Sequence, residues 1–221
     1  MMSYSNEQVV TRMRDMGVVP LFSHNDIDVS RKVLETCYKA GLTVFEYTNR
    51  QANSFDIFSK LVEFTKDLPG FMLGIGTIMD GVTTRKFIDA GAHFIISPIV
   101  KPEMGEVCAK HNVPWIPGCA TMTEIVTAFD HGAAIVKIFP GSVVGTKFIS
   151  SIRPVIPNAP LMITGGVEPT EESFKSWFDV GATCVGLGSN LFSKDIMEKK
   201  DYAALEARVK DALAIAKRVR K

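Results

Sequence analysis

Cysteine is scarce in this 221-residue sequence, and none of the four copies, Cys37, Cys108, Cys119 and Cys184, stands in a Cys-x-x-Cys pair. The four histidines, His24, His93, His111 and His131, are equally dispersed. Without ligand spacing of that kind no zinc or iron–sulfur centre is expected, and the cysteines read as reduced, small apolar residues. Long apolar runs are missing too. Nothing approaches the roughly 18 residues of a membrane span, and residues 1–7 carry neither the basic nor the apolar part of a secretory signal. The expectation is a cytoplasmic protein with no membrane partner. An excess of one charge is also absent. The 25 Lys and Arg against 24 Asp and Glu leave a net charge of +1, and no basic patch interleaved with aromatics offers a nucleic-acid surface. The late cluster Lys217, Arg218, Arg220 and Lys221 reads instead as the solvated, dipole-compatible end of a last helix. Neither Gly74-Ile75-Gly76 nor Gly186-Leu187-Gly188 has the third glycine of a dinucleotide fingerprint. No low-complexity or Pro/Ser-rich linker interrupts the chain, so residues 1–221 read as a single domain.

What is present is a repeat of short apolar, β-branched runs, at 18–23, 43–48, 72–78, 94–98, 114–120, 135–140, 161–166 and 184–189. Between them, stretches such as 30–40, 53–66, 82–90, 123–131 and 171–180 carry apolar residues at helical spacing, with Ser30 and Thr170-Glu171 as caps. Glycines at Ala40-Gly41, Ala90-Gly91-Ala92, Gly132-Ala133 and Gly181-Ala182 end a helix in the left-handed region before the next strand. Near-continuous hydrophobicity within each run predicts parallel strands covered by helices. Eight such units predict an α/β fold, a (β/α)8 TIM barrel with an extra N-terminal helix over 3–16 and a closing helix over 202–219. A doubly wound open sheet is the alternative.

Lys137 lies alone inside the apolar run Ala133 to Pro140. A lysine kept from water loses the solvation of its ammonium, and a neutral amine able to form a Schiff base becomes available near neutral pH. An edge-strand lysine snorkelling to water is the competing reading. In a barrel, function belongs at the carboxyl ends of the strands. The residues there are unusually polar: His24, Glu46, Thr48, Arg50, Thr77, Ser97, Thr121, Lys137, Thr164 and Ser189. Alternation puts Glu46 with Thr48 on one face of their strand and Lys137 with Phe139 on one face of theirs. An inward carboxylate beside an inward lysine is either a reactive pair or a buried ion pair without chemistry. Thr164-Gly165-Gly166 and Gly186-Leu187-Gly188-Ser189 close the seventh and eighth strands, where barrels commonly hold a phosphate. Paired glycines are also ordinary turn chemistry.

Taken in order, Phe45-Glu46-Tyr47-Thr48-Asn49-Arg50, Gly74-Ile75-Gly76-Thr77, Ile96-Ser97-Pro98, Ile116-Pro117-Gly118, Val136-Lys137-Ile138-Phe139-Pro140, Thr164-Gly165-Gly166 and Gly188-Ser189 carry a resemblance. From about residue 18 onward the chain resembles the class I 2-keto-3-deoxy-6-phosphogluconate aldolases, which overlap with the 4-hydroxy-2-oxoglutarate aldolases. The resemblance implies cleavage of a 2-keto-3-deoxy-6-phospho sugar acid to pyruvate and glyceraldehyde 3-phosphate, and of 4-hydroxy-2-oxoglutarate to pyruvate and glyoxylate. It implies Lys137 as Schiff-base lysine, Glu46 as general acid/base and Arg50 on the pyruvyl carboxylate. Thr77, Pro98 and Phe139 would line the pocket, and Thr164, Gly165, Gly166, Gly188 and Ser189 would bind the rest of the substrate, the phosphate included. It also implies a cytoplasmic homotrimer that needs no metal and no cofactor.

Two departures stand out. Where relatives carry an arginine after the first strand, this chain reads Phe22-Ser23-His24-Asn25-Asp26. His24 then either meets an anion when charged or caps the following helix. Tyr47-Thr48-Asn49 also departs from the commoner hydrophobic residue before the arginine. Two other functions share these residues. A sugar-phosphate isomerase or epimerase would use Glu46 as base and Lys137 only electrostatically. A non-catalytic barrel would bind a phosphorylated ligand and turn nothing over.

Overall fold

All eight apolar runs are strands in the computed structural model, which describes residues 4–220. They give β1 (Val18–Phe22), β2 (Val44–Thr48), β3 (Met72–Gly76), β4 (Ile95–Ile96), β5 (Trp115–Ile116), β6 (Gly118–Cys119), β7 (Val136–Ile138), β8 (Leu161–Thr164) and β9 (Cys184–Leu187). The fifth run yields both β5 and β6 because Pro117 has no N–H to donate and interrupts the ladder. β5 pairs in parallel with β4, and β6 with β7. The carbonyls of Trp115 and Pro117 accept from the amides of Ala134 and Lys137 at 2.9 and 2.8 Å, so the same run grips both neighbours. The parallel sheet, ordered β5-β4-β3-β2-β1-β9-β8-β7-β6, therefore closes through Pro117 into an eight-stave barrel.

Helices follow the strands: α1 (Asn6–Met16) precedes β1, then α2 (Ile27–Lys39), α3 (Ser54–Thr65), α4 (Gly81–Asp89), α5 (Pro102–Lys110), α6 (Met122–Asp130), α7 (Gly141–Ile152), α8 (Glu171–Asp179), α9 (Lys194–Lys199) and α10 (Tyr202–Val219). Their starts carry chemical reasons. Ser5 and Gln8 form a reciprocal capping box on α1, Thr121 and Glu124 another on α6, and Thr170 caps α8 as expected. Three expectations change. The N-terminal helix begins at Asn6, with Ser3 outside the described residues. Ser30 is not a cap: α2 starts earlier because Asp26 accepts the amides of Asp28 and Val29, and Ser30 turns its hydroxyl back to the Asp26 carbonyl at 2.9 Å. The basic cluster after α10 is not uniformly solvated. Arg218 pairs with Glu171, and the half-buried Arg220 donates to the carbonyls of Arg14, Asp15 and Ala216, tying the closing helix to the end of α1. Lys221 lies outside the described residues.

Strand alternation sorts the apolar side chains into two layers. Phe45, Tyr47, Ile75, Ile95, Ile138, Ile163 and Val185 face the helices and join the larger core. Val19, Val44, Met72, Phe94, Ile96, Ile116, Ile135, Met162 and Cys184 face inward and form a second cluster with Val9 and Met13 of α1. That helix is the stopper of the barrel. Val9 and Met13 are fully buried in it, each worth about 1.5–3 kcal/mol of transfer free energy. Above this floor the inward positions become polar.

Candidate active site

On β2, Val44 belongs to the floor, Glu46 is the next inward residue and Thr48 the one above. On β7 the same count takes Ile135 in the floor to Lys137. Lys137 Nζ lies 3.6 Å from Glu46 Oε1, with the two side chains 6% and 1% exposed. Neither Glu46 oxygen has a hydrogen-bond partner among the described residues. A buried pair of this kind forfeits hydration without recovering it in hydrogen bonds, so stability does not explain it. Proton transfer within it leaves a neutral amine and a carboxylic acid, a nucleophile and a proton donor in contact. The carboxylate has room because it reaches over Gly76 of β3, two residues beyond its register partner Gly74: a Cβ on Gly76 would overlap the Glu46 carboxylate. Gly74 makes the same space for the ring of Phe94, Gly118 for the backbone of Pro98 and Gly186 for the Thr164 hydroxyl. The Gly-x-Gly patterns that fail as dinucleotide motifs are thus clearances for side chains on adjacent strands.

Around the pair, the Phe139 ring centroid is 5.3 Å from Lys137 Nζ. Arg50, exposed at the rim, donates from Nε to Thr77 Oγ1 at 3.3 Å. Thr77 itself has φ 63°, a left-handed conformation that costs a β-branched residue about 1–3 kcal/mol. A cavity of about 160 Å³ opens beside these groups, lined by Arg50, Phe139, Thr164, Gly165, Gly166, Gly188 and Ser189, with Leu21, Val167 and Asn190 added. The Thr164 hydroxyl is buried at its edge without a hydrogen-bond partner among the described residues. Gly165 and Gly166 have φ 93° and 77°, and the Gly165 carbonyl accepts the Ser142 amide at 2.9 Å. A wider cleft of about 730 Å³ lies at the floor end between Arg14, Phe178 and Arg220, far from the Lys137–Glu46 pair, so size alone does not locate the chemistry.

Thr121, one of the polar strand-end residues, is spent on capping α6. His24 is turned away from the lumen: its ring stacks on Phe22, which packs against the helix-side core, and its Nδ1 accepts the Asp26 amide at 3.0 Å. It therefore caps no helix but steadies the loop just before Asp26, which caps α2. All four cysteines are free and buried. Burial raises the Cys37 thiol and pushes those of Cys108, Cys119 and Cys184 up to about 12, so none offers a thiolate. Sequence reasoning missed Leu21, Ser23 and the spacing role of Gly76. Counting alternation along β1 and β3 from a known inward residue would have found them.

A family model, described as KDPG and KHG aldolase, matches the chain over residues 9–208. The chain belongs to this family. Within the KDPG and KHG aldolases it is similar to the 2-dehydro-3-deoxy-phosphogluconate aldolase of Haemophilus influenzae, 28% identical over 75% of this chain and 77% of that one. It is 32% identical to a probable 2-dehydro-3-deoxy-6-phosphogalactonate aldolase of Rhizobium meliloti, over 72% of this chain and 74% of the relative. Among solved structures, the 2-keto-3-deoxy-6-phosphogluconate aldolase of Zymomonas mobilis superposes with a TM-score of 0.82 at 25% identity, covering 96% of this chain and 97% of that one. As a member of the KDPG and KHG aldolases the protein is a carbon–carbon lyase. Among the described residues no helix is long and apolar enough to cross a membrane, and no group of three or more His, Cys, Asp and Glu side chains converges as a metal site.

Proposed function

We propose that the protein cleaves a 2-keto-3-deoxy-6-phospho sugar acid to pyruvate and glyceraldehyde 3-phosphate, and 4-hydroxy-2-oxoglutarate to pyruvate and glyoxylate, with Lys137 as nucleophile and Glu46 as the single acid/base. The buried 3.6 Å contact between Lys137 and an otherwise unbonded Glu46 carboxylate carries this reading. The neutral amine adds to the C2 ketone, and Glu46, directly or through one water, returns a proton to the departing hydroxyl, leaving a protonated imine. Glu46, again a carboxylate, takes the proton of the C4 hydroxyl. The C3–C4 bonding pair then moves to C3 as an enamine conjugated to nitrogen, and the aldehyde leaves. Glu46 delivers its proton to C3, and hydrolysis of the resulting imine frees pyruvate and restores the amine.

Arg50 presents a planar fork suited to the pyruvyl carboxylate, held at the rim through Thr77. Pro98 and Phe139 form the walls beside the reacting carbons. Thr164, Gly165, Gly166, Gly188 and Ser189 take the distal end and its phosphate, the glycines allowing close backbone approach. Fixing both ends of the keto acid holds C2 against the amine. The same reading makes the chain one domain and a cytoplasmic homotrimer, for which sedimentation at working concentration is the measurement.

Borohydride reduction in the presence of pyruvate tests the chemistry. Covalent mass on the Lys137 peptide and pyruvate release in a lactate dehydrogenase-coupled assay are expected, with Lys137→Arg losing both. Turnover by Lys137→Arg would overturn the Schiff-base assignment, and an isomerised sugar phosphate with no trapped adduct would replace the aldolase with a barrel isomerase.

A further inference from the structure

The inward face of β1 continues past the cavity. Val19 sits in the floor and Leu21 lines the cavity, its Cδ1 within 3.1 Å of where a Cβ on Gly188 would stand. The next inward position is Ser23, because successive side chains of a strand alternate. In the parallel register of β1 with β2, Leu21 faces Glu46 and Phe22 faces Tyr47, which brings Ser23 beside Thr48. The two hydroxyls are 2.9 Å apart, with Thr48 only 2% exposed. An O–H···O–H pair uses one of its two protons internally and keeps the second for an outside acceptor. Among the described residues no other hydrogen bond takes that proton from Ser23 or Thr48.

The loop that follows cannot easily carry Ser23 elsewhere. Tyr47 donates its hydroxyl to the His24 carbonyl at 2.7 Å, and Asn53 Nδ2 donates to the Asn25 carbonyl at 2.9 Å. Three consecutive residues after β1 are thus tethered by the segment that carries Glu46 and Arg50. Around the barrel, β1 separates β2, with Glu46, from β9, with the Gly188–Ser189 turn. On the Glu46 side, then, the staves leading toward that turn are β2 and β1, and the Ser23–Thr48 pair joins their upper ends.

We propose that Ser23, oriented by Thr48, is a specificity-determining residue that donates a hydrogen bond to the hydroxyl oxygen next to the aldehyde carbon of the cleaved half, so that the site favours hydroxylated, sugar-derived aldehydes. This rests on the aldolase reading above. A neutral hydrogen bond of this kind corresponds to about a fivefold preference, and its loss leaves a polar group without its partner in the bound state.

The test runs in the synthetic direction with full-length protein. Pyruvate is condensed with glyceraldehyde 3-phosphate or with 3-phosphooxypropanal, which lacks the hydroxyl in question, and each rate is divided by the same protein's rate of pyruvate C3 proton exchange. The wild type should prefer the hydroxylated aldehyde. Ser23→Ala should narrow that preference about fivefold, and Ser23→Thr, which keeps a hydroxyl, should restore it. Because Ser23 is only half-buried at the rim, these variants do not depend on repacking the core. Equal preference in wild type and Ser23→Ala overturns the proposal. A wild type that borohydride cannot link to pyruvate overturns the aldolase reading itself, before any variant is compared.

Discussion

The lower and upper halves of the barrel interior are built on the same strands and obey opposite rules. In the lower half, Val19, Val44, Met72, Phe94, Ile96, Ile116, Ile135 and Met162 pack against Val9 and Met13 of α1, an apolar plug with no polar side chain to satisfy. Two residues further along β2 and β7, burial is just as complete, yet among the described residues Glu46 has no hydrogen bond and faces a single ammonium. Nearby, Thr164 leaves a buried hydroxyl unpaired and Thr77 holds a left-handed backbone. One half stores stability and the other spends some of it on reactivity, which is why a residue's depth in this barrel says little about its role until its height along the strand is known.

Substitutions can separate the halves. Glu46→Gln keeps the shape of the upper half and removes its proton carrier, so kcat should fall about 10²–10⁴-fold while the melting temperature holds or rises. An equal loss of phosphate-ester binding would argue against a proton-transfer role. Gly76→Ala keeps every functional group but pushes a methyl into the Glu46 carboxylate. Displacement by about 1 Å should lower kcat by about 100-fold, with borohydride trapping on Lys137 persisting. Unchanged turnover would show that the carboxylate does not need that clearance.

Met13→Ala strikes the floor, and denaturant unfolding should register a loss of about 2–5 kcal/mol with turnover per folded molecule retained. Lost turnover in folded protein would mean that floor and site are not independent. The smallest effect is expected at the edge of the floor, at His93. Burial holds this imidazole below the ordinary value of 6.5, and its Nδ1 accepts the Leu73 amide at 3.0 Å. The unfolded chain therefore takes up a proton first as pH drops through 6.5, and stability should decline from there until the lowered folded-state value is passed. His93→Asn, which can still accept that amide, should flatten this acid limb in melting curves measured across the range. A limb that stays equally steep would assign it to other groups.

Much of this architecture was legible in the residues alone. Eight apolar runs, the solitary Lys137 and the alternation that turned Glu46 inward were local patterns, and local patterns survive folding when every stave of the sheet has the same two-sided environment. The α2 boundary was misplaced because Ser30 and Asp26 both suit a cap, and only the backbone path shows which one accepts the amides. The basic end of α10 looked solvated because nothing in a run of four cations reveals that Arg220 would find the carbonyls of α1, some 200 residues away in the chain.

By itself the amino-acid order determined the number and direction of the strands, the helices between them and the presence of one amine and one carboxylate at inward positions, since periodicity and propensity act within a few residues. Only the closed barrel decided that Lys137 and Glu46 would meet at 3.6 Å, that Gly76 would clear the space between strands and that Ser23 would pair with Thr48 while His24 turned outward. Those are distances between staves far apart in sequence. They depend on the barrel's curvature and register, which all eight staves set together.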